Sequence, residues 1–61
     1  MFQVEESSSG TTLFRGNYNA AMQWLVSKAR EYESVVWHEP FEDFLCALEI
    51  PSHIVYGIVK T

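Results

Sequence analysis

Two histidines, His38 and His53, a lone cysteine, Cys46, and the acids Glu39, Glu42, Asp43 and Glu49 crowd the second half of the sequence. These are the side chains that ligate metals, move protons and attack carbonyl carbon. The densest stretch is Trp37-His38-Glu39-Pro40-Phe41-Glu42-Asp43-Phe44. A zinc protease needs two histidines four apart on one helical face, with a glutamate beside the first. Here Glu42 stands where the second histidine belongs, and Pro40 interrupts the helix that would align them. A metal site built from His38, Glu42 and Asp43 competes with a solvated acidic cluster at a helix start. The cluster is the expected reading, since the helix dipole favours acids there, and neither a metal nor another cofactor is implied.

A nucleophilic cysteine needs an adjacent base and an electropositive setting. Cys46 lies among Phe44, Leu45, Ala47 and Leu48 in the most acidic part of the chain, so it reads as a small buried hydrophobe rather than the partner of His38 or His53. Ser7, Ser8 and Ser9 have no base near them in sequence. The chain is therefore expected not to be an enzyme.

Charge and aromatic residues point to a surface function instead. From Glu31 to Val59 the chain carries six acids, Glu31, Glu33, Glu39, Glu42, Asp43 and Glu49, and no lysine or arginine. Such a distribution disfavours direct contact with a phosphate backbone, whose affinity is built on Lys and Arg, and favours a basic protein surface, including one that itself binds nucleic acid. Trp37 and Phe41 would be the anchors of that contact and the six acids its phosphate surrogates. The bland alternative is that the aromatics fill the core and the acids keep the domain dissolved.

A second functional reading is a small DNA-binding regulator with a helix-turn-helix over residues 41–60. Leu45, Ile50, Val55 and Ile58 would be its buried positions, Ile50-Pro51-Ser52 its turn, and His53, Tyr56 and Lys60 its groove contacts. Glu49 replaces the usual turn glycine, Gly57 interrupts the would-be recognition helix, and Lys60 alone could meet a phosphate.

The elements that position these residues follow from patterning. Sixty-one residues make one domain with a marginal core, and the single cysteine excludes an intrachain disulfide. An apolar content of 48% with nine aromatics is enough packing material to fold. No basic stretch followed by an apolar run opens the sequence and no span-length apolar run occurs, so no membrane association is implied and a reducing cytoplasm is expected.

Phe2 to Glu6 alternates as a half-buried strand, Ser7 to Thr11 reads as a turn with Gly10 free for positive φ, and Thr12 to Arg15 returns. Asn17 or Asn19 can cap a helix from Tyr18 to about Tyr32, whose stripe Tyr18, Ala21, Met22, Leu25, Ala29 and Tyr32 faces a sheet, with Trp24 at the stripe's edge.

Val35 to His38 reads as a third strand. Phe41, Phe44, Leu45 and Leu48 have helical spacing, so Pro40 to about Glu49 is expected as a short second helix. The tail from Ile54 is expected as a closing strand, since β-branched residues recur and Gly57 disfavours helix. The architecture is α+β, ββαβ(α)β, with one main helix across a small, mostly antiparallel sheet. The chain is a monomer or a homodimer, the latter by pairing of the terminal strand, His53 to Val59, with its copy.

One resemblance adds to this reading. Phe2 to Leu25 combines a strand, a glycine turn, a strand ending Leu-Phe-x-Gly-x-Tyr and a helix with Ala-x-x-Trp-Leu. In this it resembles small phage and prophage proteins over about the first 32 residues. These include inhibitors of host defence such as anti-CRISPRs, some of which occupy a DNA-binding surface with carboxylates. The resemblance implies a class of role, inhibition of a host complex by mimicry of DNA, and carries no functional residue across.

Overall fold

The computed structural model describes residues 1–61. Five strands and one helix follow the order β1 (Phe2–Glu6), β2 (Thr12–Gly16), α1 (Tyr18–Ala29), β3 (Val36–His38), β4 (Cys46–Ile50) and β5 (Ile54–Lys60). The strands form one antiparallel sheet in the order β2-β1-β5-β4-β3. The α+β class, the single main helix and the antiparallel sheet all match the sequence reading.

Strand alternation divides the side chains between two faces. Val4, Leu48, Ile50 and Ile58 point to the helix side, where Ala21 and Leu25 from α1 complete a fully enclosed core. Met22, Trp24, Ala29 and Tyr32 pack around it, as the helical stripe requires. Tyr18 lies more outward and meets Phe2 edge to face at 5.5 Å. Trp24 is half-buried, with its ring edge-on to Tyr56 at 5.4 Å. Lys28 Nζ lies within 6 Å of both rings, so its cation clasps the helix to β5.

Asn17 caps the helix, its side-chain oxygen accepting from the Ala20 N–H at 2.8 Å. The helix ends at Ala29, three residues short of Tyr32. There the Glu31 N–H turns to the Lys28 carbonyl and the Tyr32 N–H to the Ala29 carbonyl, a tighter final turn that still delivers Tyr32 to the core.

The β1–β2 hairpin closes through Ser7 to Thr11 with Gly10 at φ +72°. The serine run serves the turn: the Glu6 carboxylate accepts from the Ser8 N–H, the Ser8 hydroxyl and the Ser9 hydroxyl. These bonds hold its carboxyl below the usual range, those from Ser8 and then Ser9 most of all. A bulge opposite Val4 and Glu5 leaves Leu13 exposed on the β2 edge.

Three expectations fail. Residues 40–49 do not form a second helix: a tight turn occupies 41–44 and Cys46–Ile50 is β4. Cys46, Leu48 and Ile50 alternate as well as they match a helix, and pairing with β5 satisfies five residues of backbone that a short helix would have left at its ends. With β4 and β5 joined as a hairpin through Pro51, Ser52 and His53, residues 41–60 contain no helix, and the helix-turn-helix geometry is absent. Nor is β5 an exposed terminal strand. It lies between β1 and β4 with both edges bonded, so it cannot pair with a copy, and the free edges belong to β2 and β3.

Candidate functional site

The face of the sheet opposite the helix carries Gln3, Glu5, Ala47, Glu49, Val55, Gly57 and Val59 by strand alternation, with Val36 and His38 extending it onto β3. Ala47 and Gly57 are buried there although no helix covers them. The cover is the loop from Glu39 to Leu45.

Phe44 packs directly against Gly57: a Cβ on that glycine would stand 2.7 Å from Phe44 Cγ and closer still to Cδ1. Phe41 packs on Phe44 at 5.5 Å and edge-on to His38 at 5.9 Å, so three rings line up across the sheet. Within the loop the Phe41 N–H donates to the Phe44 carbonyl at 3.2 Å and the Phe44 N–H to the Phe41 carbonyl at 2.9 Å. Glu42 and Asp43 are the two corner residues of this turn. Glu42 takes φ +51°, and both side chains stand in solvent.

Below the loop, Glu49 is clamped between two imidazoles. His38 Nε2 lies 2.9 Å from its Oε1 and His53 Nδ1 lies 3.0 Å from its Oε2. An ionised carboxylate only accepts, so His38 carries its proton on Nε2 and His53 on Nδ1. His53, 93% exposed and at φ +61°, extends the β4–β5 turn back over Glu49. The bonds from His53 and then His38 hold the Glu49 carboxyl below the usual range.

The sign of the resulting pH dependence is set by both depressed carboxyls, Glu49 and Glu6. Each binds its proton more weakly in the folded chain, so its contribution is complete above the ordinary carboxyl value near 4.5 and is lost as pH falls through the lower folded value. The urea midpoint is expected to fall below pH 4.5, and Glu49→Gln to flatten part of that fall. A midpoint profile unchanged by the substitution would contradict the assignment.

The Glu49–His53 pair resembles the orienting half of a catalytic triad, but no hydroxyl or thiol bonds to His53 Nε2. Cys46 belongs to the helix side of β4, opposite both histidines, and burial pushes its thiol up. No group of three or more His, Cys, Asp and Glu side chains converges to hold a metal ion. No helix is long and apolar enough to cross a membrane.

The residues expected to form one acidic and aromatic patch are thus distributed over several places. Glu39, Phe41, Glu42 and Asp43 share the loop on the open face. Trp37 pairs with Leu48, so it belongs to the helix side of the sheet, beyond the helix and 44% exposed, opposite Phe41. Glu31 and Glu33 occupy the connection leaving α1, where Glu31 approaches Lys28 at 3.6 Å. Glu49 is taken up by its two histidines.

The structure adds three residues to the open face that the pattern did not single out: Glu5, Gln3 and Phe44. A glycine inside a strand, Gly57, was the available signal for Phe44, because it marks a close approach by another group. Nothing in the spacing announces that β1 would run beneath a loop forty residues away. Comparison with protein-family models, with curated proteins and with solved structures finds no match.

Proposed function

We propose that this chain is a non-enzymatic binding protein of phage type that occupies a basic, nucleic-acid-binding surface of a host protein complex and inhibits it. The observation that carries the reading is the loop 39–45. It displays Glu39, Glu42 and Asp43 around the exposed ring of Phe41, and it is held in place before any partner arrives by the Phe41–Phe44 bonds and by Phe44 on Gly57. Carboxylates fixed in advance lose less freedom on binding, so more of their attraction to a basic surface survives as affinity and steering. Glu31, Glu33 and Trp37 stand away from this loop, and Glu49 acts by holding His38 and His53.

The test is capture from a bacterial host lysate, with the wild-type chain beside the triple variant Glu39→Lys, Glu42→Lys, Asp43→Lys. The variant is expected to keep its circular-dichroism spectrum, since all three side chains are exposed, and to lose the captured partner. Undiminished capture by a folded variant would overturn the reading.

A further inference from the structure

Glu49 ties together both loops of the open face. Through His38 it reaches β3 and the Phe41 ring that opens the 41–44 turn, and through His53 it reaches the β4–β5 turn. The second contact holds a strained segment, because Ser52 at φ +75° and His53 at φ +61° are consecutive left-handed residues that persist only where their surroundings fix them. Each imidazole spends one N–H on the carboxylate. Its second nitrogen, Nδ1 of His38 and Nε2 of His53, makes no hydrogen bond within the chain, so a proton added there leaves both bonds to Glu49 in place. No other charged group pairs with the clamp. Val36 and Ala47 flank it on the sheet, Ser52 stands in its turn, Glu39, Glu42 and Asp43 stand in solvent on the loop, and Lys60 lies at the far end of β5. Glu49 stays ionised at mildly acid pH, since these same bonds hold its carboxyl below the usual range.

We propose that the His38–Glu49–His53 clamp is a charge switch: as pH falls from about 7.5 to about 5.5 it loosens the hold of the open face on a cationic partner without changing the shape of that face. Imidazole is the side chain whose ordinary proton equilibrium falls between about pH 5 and 8. Five carboxylates, Glu5, Glu39, Glu42, Asp43 and Glu49, stand on this face or its loop, and two imidazolium charges among them offset two of the five. The clamp itself turns from an anion into a cation. Its shape survives because each proton enters a nitrogen that the fold leaves unbonded, and the bonds to Glu49 become charge-assisted on both sides. The consequence for a basic partner rests on the binding reading above, whereas the change of charge belongs to the clamp alone.

The test is calorimetric binding of N-acetyl hexa-arginine amide at about pH 7.5 and about pH 5.5 and one low ionic strength, beside a pH titration of the full chain by heteronuclear NMR. The wild-type chain is expected to bind the peptide about fourfold more weakly at the lower pH, the effect of two unit charges about 10 Å from a bound cation in water. His38→Gln with His53→Asn keeps an amide N–H at each donor position, suits the left-handed turn and takes no second proton. This variant is expected to match the wild type at the higher pH and to keep that affinity at the lower one. In the NMR arm the His38 and His53 ring signals are expected to titrate across the range while the Phe44 and Gly57 backbone amides stay sharp and nearly in place. The proposal is overturned by equal weakening of the double variant, by wild-type affinity that does not change, by imidazoles that stay neutral, or by loss of the Phe44 and Gly57 signals. If the peptide binds at neither pH, the binding reading falls, and the ring titration decides the charge switch by itself: titration with the loop in place supports it, and its absence overturns it.

Discussion

Replacing Gly57 by alanine is expected to cost about 1–3 kcal/mol, the range for forcing extra atoms into a filled site. In an exposed strand the same change would be nearly neutral or favourable, because alanine restricts the unfolded chain. The sign reverses here because the new methyl would meet Phe44 at the root of its ring, which cannot swing clear without moving the loop backbone. Displacing Phe44 also frees Phe41 from its neighbour and unsettles the turn that presents Glu42 and Asp43.

The check is a urea melt of the single variant, of Phe44→Ala and of the double variant. Truncating the ring removes the clash, so the double variant is expected to be more stable than the sum of the two losses by about 1 kcal/mol or more. Additive losses would mean that the ring does not rest on Gly57. The same G57A chain is expected to capture less partner than wild type at a temperature where both remain folded.

Leu25→Ala is expected to be the most damaging single substitution in the helix, costing about 2–5 kcal/mol. Leu25 is fully enclosed and reaches into the cluster of Val4, Leu48 and Ile58, so the atoms removed leave a cavity that neighbouring strands cannot close. A domain of this length has a total stability of about 3–9 kcal/mol, so the variant should sit near or beyond its unfolding midpoint in buffer at 37 °C. Gln23→Ala, on the exposed side of the same helix, is expected to stay within about 0.5 kcal/mol of wild type. Thermal unfolding followed at 222 nm separates the two, and equal melting temperatures would mean that α1 does not bury this stripe.

Most of the fold was legible because local pattern and tertiary demand agree in the first half of the chain. The alternation of Phe2 to Glu6, the turn around Gly10 and the Ala21 and Leu25 stripe each have one reading, and the structure follows it; of the two candidate caps, Asn17 and Asn19, it uses Asn17. Agreement breaks at residues 40–49. Ala47, Leu48 and Glu49 favour helix intrinsically, and Phe41, Phe44, Leu45 and Leu48 recur at helical spacing. What decides is remote: β5 needs a neighbour on its second edge, and Cys46, Leu48 and Ile50 supply the alternating face that completes the core.

The same displacement explains the candidate site. The sequence reading took Trp37 and Phe41 as anchors of one contact, but a strand sends Trp37 to one face of the sheet, and the loop returns Phe41 to the other. Glu5 joins the acids of the loop only because β1 pairs with β5, and no local pattern contains that pairing.

The central pairing of β1 with β5 sets when the molecule can form. Phe2 lies opposite Lys60, and the Thr61 N–H reaches the Met1 carbonyl at 3.0 Å, so the middle of the sheet joins segments nearly the whole chain apart. On the ribosome the first hairpin and the helix can form early, yet Val4 and Leu25 have neither β4 nor β5 to close over them until both have emerged. The acidic loop cannot settle either, since the strand it rests on follows it in the sequence. Assembly of the core and of the open face is therefore a single event that waits on β5, and a chain lacking that strand carries neither.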